Sequence, residues 1–238
     1  MVSTSFDGVQ DGSIAFSDVN GNGHNDLLIT GESSIAGLPL TKLFTNDGAG
    51  NFIEIATQME DVEDSSIAFS DVDGDNTEDV LITGKNSSGT PIAKLYTNDG
   101  NGNFSEKSGT PFVGVWRGAV AFSDVNNDGF SDILITGDSG TNEPIAKLYN
   151  NDGLGNFTEM TNTPFIDALY SSISFADVNG DGNEDVLISG GDIASKRTSK
   201  LYINDGMGKF TELMNTPFNG VWRGSVVLSD VNLSLIHI

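Results

Sequence analysis

The sequence predicts an all-β fold made of four-stranded antiparallel blades arranged as a propeller, and three observations predict it. A fixed set of motifs recurs every 53 residues, Asn-Asp-Gly turns punctuate every unit, and no segment sustains the 3.6-residue period of a helix. The segment (Ser/Ala)-Asp-Val-(Asn/Asp) places its Asp at Asp18, Asp71, Asp124, Asp177 and Asp230, each interval being 53. Asn-Asp-Gly-x-Gly-(Asn/Lys)-Phe begins at Asn46, Asn98, Asn151 and Asn204. A Leu-Ile-(Thr/Ser)-Gly segment and a Lys-Leu-(Phe/Tyr) segment recur between them. A β-solenoid is the structural competitor, but its parallel coils do not use tight two-residue hairpins.

The unit at 66–118 shows why each element is expected. Ile67-Ala68-Phe69-Ser70 alternates as a first strand does. Val80-Leu81-Ile82 is a continuous apolar run, the pattern of a strand covered on both faces. Asn86-Ser87-Ser88-Gly89 is turn chemistry, and Ile92 to Thr97 is a third strand rich in β-formers. Asn98-Asp99-Gly100-Asn101-Gly102 tolerates the positive φ of a hairpin. A fourth strand is expected from Phe104 to about Pro111-Phe112. The same parse gives units at 13–65, 66–118, 119–171 and 172–224, then a partial unit at 225–232 that opens with an extra first strand, Val226 to Ser229. Residues 1–232 thus read as a partial propeller. Leu233–Ile238 breaks the repeat in mid-loop and reads as a non-native tail.

Between the first and second strands of each unit lies an acidic loop. Its odd positions are Asp18, Asn20, Asn22, His24 and Asp26 in the first unit, and Asp71, Asp73, Asp75, Thr77 and Asp79 in the second. The third has Asp124, Asn126, Asp128, Phe130 and Asp132; the fourth has Asp177, Asn179, Asp181, Asn183 and Asp185. Oxygen-bearing side chains stand at positions one, three, five and nine throughout. The variable position seven suits a ligand supplied by its backbone carbonyl. A hard divalent cation wants about six or seven oxygens, and calcium accepts this irregular set better than magnesium does. Four calcium sites are expected, one per complete unit. The first loop has only two carboxylates and should be weakest, and the second or fourth tightest. An EF-hand would require a bidentate Glu at position twelve, where this chain has Ile29, Ile82, Ile135 and Ile188. The competing reading, polar turns without metal, leaves up to five clustered carboxylates repelling one another.

These loops, and their place between strands one and two, resemble the FG-GAP/VCBS-type repeats found also in the integrin α-subunit propeller. The resemblance covers residue 13 to about residue 232. It implies a propeller of about seven blades, of which this chain would be a part. It further implies a secreted or cell-surface protein used in adhesion or ligand recognition, with an extracellular protein or glycan as partner. The alternative is a scaffold or accessory propeller of a larger secreted enzyme.

Composition narrows the other classes. A formal net charge of −23 repels nucleic acid and anionic membranes. No apolar stretch is long enough to insert in a bilayer, and Met1 to Phe6 shows no signal peptide. Cysteine is absent, so thiolate sites are excluded. His24 lies in a metal loop and His237 in the closing hexapeptide, which leaves no placed general base and argues for a non-enzymatic protein. Gly137-Asp138-Ser139-Gly140 is read as a turn. Four lysines, Lys42, Lys94, Lys147 and Lys200, share one repeat position on strand three and are expected to be structural. Trp116-Arg117 and Trp222-Arg223 recur two repeats apart, with Tyr170 at the intervening unit, and are expected on the connection between blades. They are either a partner-binding cluster on the face opposite the metal loops or packing between blades.

Overall fold

The computed structural model describes residues 6, 8–140, 143–194 and 196–228, and within them the chain is all-β. The first blade comprises β1 (Val9–Ser17), β2 (Asp26–Ser33), β3 (Pro39–Asn46) and β4 (Phe52–Ile55). The second comprises β5 (Val62–Ser70), β6 (Asp79–Asn86), β7 (Pro91–Asn98) and β8 (Phe104–Glu106). In the third are β9 (Trp116–Ser123), β10 (Asp132–Asp138), β11 (Pro144–Asn151) and β12 (Phe157–Met160). The fourth has β13 (Leu169–Ala176), β14 (Asp185–Gly191), β15 (Arg197–Asn204) and β16 (Phe210–Glu212). Within each blade consecutive strands pair antiparallel, and a single pair, Leu40 with Val62, ties β3 to β5. The first strands β1, β5, β9 and β13 follow one another side by side in space.

The core lies between blades. In β6, Val80 and Ile82 join Val19, Leu28 and Leu43 of the preceding blade in one buried cluster. The residue between them, Leu81, points the other way and packs with Val120, Ile133 and Tyr149 of the third blade. The next interface repeats the plan, with Leu134 and Leu148 meeting Val186, Ile188 and Tyr202. The uninterrupted apolar run of each second strand is therefore two half-faces serving two neighbours. Polar stitching crosses the same interfaces. The buried Tyr96, Tyr149 and Tyr202 hydroxyls accept the backbone N–H of Glu60, Val113 and Ile166 at 3.0, 3.2 and 2.8 Å. The Ser66 hydroxyl accepts the N–H of Val120 at 3.2 Å.

Three expectations need correction. The fourth strand of the second blade stops at Glu106, because Gly109 turns the chain at φ +81° and Phe112 packs edge-on to Tyr149 at 5.1 Å. The first strands start upstream of the expected boundaries, β5 at Val62 and β9 at Trp116, because a bulge interrupts their alternation. Trp116-Arg117 thus begins a strand and is not part of the connection between blades. The expected strand from Val226 is absent among the described residues. Val226 and Leu228 instead donate their N–H groups to the Ser172 and Ser174 hydroxyls, lying along β13. Ser229, the Asp230 loop and Leu233–Ile238 lie outside the described residues.

Candidate metal centres

Each acidic loop is wound by its own first Asp. Asp18 accepts the N–H groups of Asn22 and Gly23, Asp71 those of Gly74 and Asn76, and Asp124 those of Asp128 and Gly129. Asp177 accepts from Gly180, Asp181 and Gly182. Position-five side chains turn back on position seven: Asn22, Asp75, Asp128 and Asp181 accept the N–H of His24, Thr77, Phe130 and Asn183. These bonds hold the tight coil that the Asp/Asn spacing suggests.

Position nine anchors the coil to the sheet. Asp26, Asp79, Asp132 and Asp185 are all buried at the first residue of a second strand. One oxygen of each accepts the N–H of position two, Val19, Val72, Val125 or Val178, at 3.1–3.2 Å. The other accepts the N–H of the hairpin Asn46, Asn98, Asn151 or Asn204 at 2.7–2.9 Å. A carboxylate oxygen has two lone pairs, so each retains capacity for a cation. Burial pushes the Asp79 and Asp132 carboxyls up to about 6, against the pull of these hydrogen bonds and with the help of neighbouring loop carboxylates.

The side chains at position seven lie on the hairpin of their own blade. A Cβ placed on Gly48 would sit 2.2 Å from the His24 ring, and one on Gly153 2.5 Å from the Phe130 ring. Asn183 stands likewise 2.5 Å from such an atom on Gly206, and Thr77 3.0 Å from one on Gly100. Those four glycines also have φ between +75° and +78°, so both backbone and space demand glycine. The seating of these rings and amides on the hairpin fits a backbone ligand at position seven.

The second loop carries the most complete acidic site. One oxygen from each of Asp71, Asp73 and Asp79 lies within 4.8 Å of the others, and among the described residues no other three acidic side chains gather so closely. Asp73 Oδ1 is buried with no hydrogen-bond partner. An orphaned buried oxygen on a carboxylate grouped with two others fits a divalent cation well. Asp75 stays outside that trio, its Oδ1 taken up by Thr77. In the third and fourth loops an amide fills the comparable gap, since Asn126 and Asn179 donate to Asp128 and Asp181 at 2.9 Å.

Comparison with protein-family models gives three overlapping matches to an FG-GAP-like repeat, over residues 18–82, 71–135 and 124–188. The chain belongs to the FG-GAP-like repeat family. Each matched span of this FG-GAP-like chain starts on position one of a loop and runs into the second strand of the next blade, so it contains two loops. No curated protein matches the chain significantly.

The opposite ends of the blades hold the Trp-Arg residues. Arg117 stacks on the Trp116 ring at 3.7 Å, with Lys85 at 4.5 Å from the same ring. Tyr170 meets the Trp222 ring edge-on at 5.4 Å and carries Arg223 at 4.3 Å. Both tryptophans are half-buried, while Arg117 and Arg223 line an open cavity with Asp11, Asp64 and Tyr170. Sequence reasoning missed Asp11 and Asp64 as members of this group. Their signal was the shared repeat phase of 53, hidden because the residue type changes at each unit. The four strand-three lysines pair across to strand four, with Glu54, Glu106, Glu159 and Glu212 at 2.5–3.2 Å.

Proposed function

We propose that this chain is a non-enzymatic, calcium-binding β-propeller module used outside the cell for adhesion or ligand recognition. The observation that carries the calcium reading is the trio Asp71, Asp73 and Asp79, with its orphaned Asp73 oxygen, inside a loop that recurs in every blade. In the second loop Asp71, Asp73, Asp75 and Asp79 would hold the ion through carboxylates, and Thr77 through its carbonyl. The other loops would use the matching positions. The ion's role is to neutralise the clustered carboxylates and fix the loop; the chain's own residues coil the loop and anchor it to the sheet. Extracellular calcium modules work at dissociation constants of about 10⁻⁴–10⁻³ M, a range suited to loops in which Asn replaces several carboxylates.

Isothermal titration of the chelator-treated protein with calcium and with magnesium tests this. Calcium should bind and raise the melting temperature, with magnesium markedly weaker. Asp71→Ala should remove a tighter site than Asp18→Ala does. Equal losses would overturn the ranking of loops, and absence of calcium binding would overturn the metal reading. The recognition role is tested separately by calcium-dependent retention on immobilised protein and glycan panels.

A further inference from the structure

One repeat position on the face opposite the metal loops is unusual in every unit. Asp11, Asp64, Arg117, Tyr170 and Arg223 stand 53 residues apart, and each has φ between +48° and +56°. Left-handed backbone is unfavourable for a non-glycine residue, and such strain is kept where a side chain must be aimed. Glycine would relieve it at all five positions, yet none is glycine. All five side chains line the same open cavity, of about 200 Å³.

The cavity is chemically two-sided. The first strands of blades one and two contribute carboxylates, Asp11 and Asp64. The first strand of blade three and the segment after blade four contribute guanidinium groups, Arg117 and Arg223, and the Tyr170 ring lies between them in sequence order and within 5.3 Å of both. Arg117 and Arg223 are two of the three arginines in a chain of net charge −23, so their convergence is a local exception to the field of the molecule. Aromatic stacking holds both guanidinium planes. Arg117 Nε is buried without a hydrogen-bond partner and makes a long ion pair with Asp64 Oδ2, at 3.5 Å. Asp11 is exposed and makes no hydrogen bond or ion pair among the described residues.

We infer that this cavity binds a small zwitterion of the α-amino-acid class, its carboxylate on Arg117 and Arg223 and its ammonium on Asp11 and Asp64. A planar carboxylate matches the guanidinium forks, and an ammonium matches the acidic pair. Two positive and two negative side chains leave the site neutral overall, which suits a neutral dipolar ligand over a simple anion. The inference rests on the recognition reading above and supplies its ligand class.

Saturation-transfer NMR on the full chain with calcium present, using pooled free α-amino acids as probes, tests it. At least one amino acid should bind and lose tenfold or more in affinity when its amine is acetylated or its carboxylate amidated. Arg223→Gln and Asp11→Asn, both at exposed positions, should each abolish binding without shifting the melting temperature. Equal binding of the N-acetylated form would overturn the zwitterion in favour of an anion site. Binding of D-glucuronate alone would overturn it in favour of an acidic sugar, and no binding by any probe would overturn the site. Calcium titration of the same sample and the panel assay report the broader function independently, so the two readings can fail separately.

Discussion

Asp79 serves two masters: its oxygens accept the N–H groups of Val72 and Asn98, and the same carboxylate belongs to the acidic trio. Burial raises it to about 6, as it does Asp132. A carboxyl whose folded-state pKa lies above the ordinary value near 4 binds its proton more tightly when folded. In the cation-free protein these two residues therefore favour the folded state most at low pH, and that contribution is lost as pH rises from about 4 through 6. A cation competes with the same protons, so the rise in melting temperature on adding calcium should be large at pH 7.5 and small at pH 5. Thermal unfolding at the two pH values, with calcium and with chelator, checks both signs. The carboxylate spacing of the loops is legible in the sequence because the ligand positions are local. The second duty of position nine is not, since its partners Asn98 and Asn151 lie 19 residues downstream.

At the level of the strand, the apolar run Val80-Leu81-Ile82 announces double-sided burial, and the structure explains it as service to two interfaces. Leu134 is fully buried and meets the fourth blade, so Leu134→Ala should cost about 2–5 kcal/mol in denaturant unfolding. Tyr149→Phe removes the acceptor of the Val113 N–H and should cost about 1 kcal/mol, with Phe44 already standing at the same position in the first blade. The starts of the first strands are not readable in the same way. At Gln10-Asp11-Gly12 and Trp116-Arg117-Gly118 the bulge breaks the two-residue alternation on which strand recognition depends. The short fourth strands are also over-read from sequence. Phe112 looks like strand continuation, but its ring belongs to the cluster of the following blade.

Across the whole molecule, successive acidic loops are joined through one side chain. Asn98 donates to Val19 O in the loop of the preceding blade at 2.9 Å, Asn151 to Val72 O at 2.9 Å and Asn204 to Val125 O at 2.8 Å. The backbone N–H of each of these asparagines is held by the position-nine Asp of its own blade. If the second loop holds the proposed cation, its loss should therefore loosen the hairpin at Asn151 in the third blade. Hydrogen exchange of Asp71→Ala should show faster exchange there, whereas a purely local loop would confine the change to residues near Asp71. The period of 53 makes the blades legible, but this link spans 79 residues and joins unlike positions, so no repeat comparison exposes it. It also sets an order on synthesis. A loop leaving the ribosome keeps the carbonyl of its second residue unclaimed until roughly one and a half further repeats have emerged. Loops are consequently finished in chain order, and a nascent chain halted after Asn98 carries finished loops behind one or two that still await their neighbours.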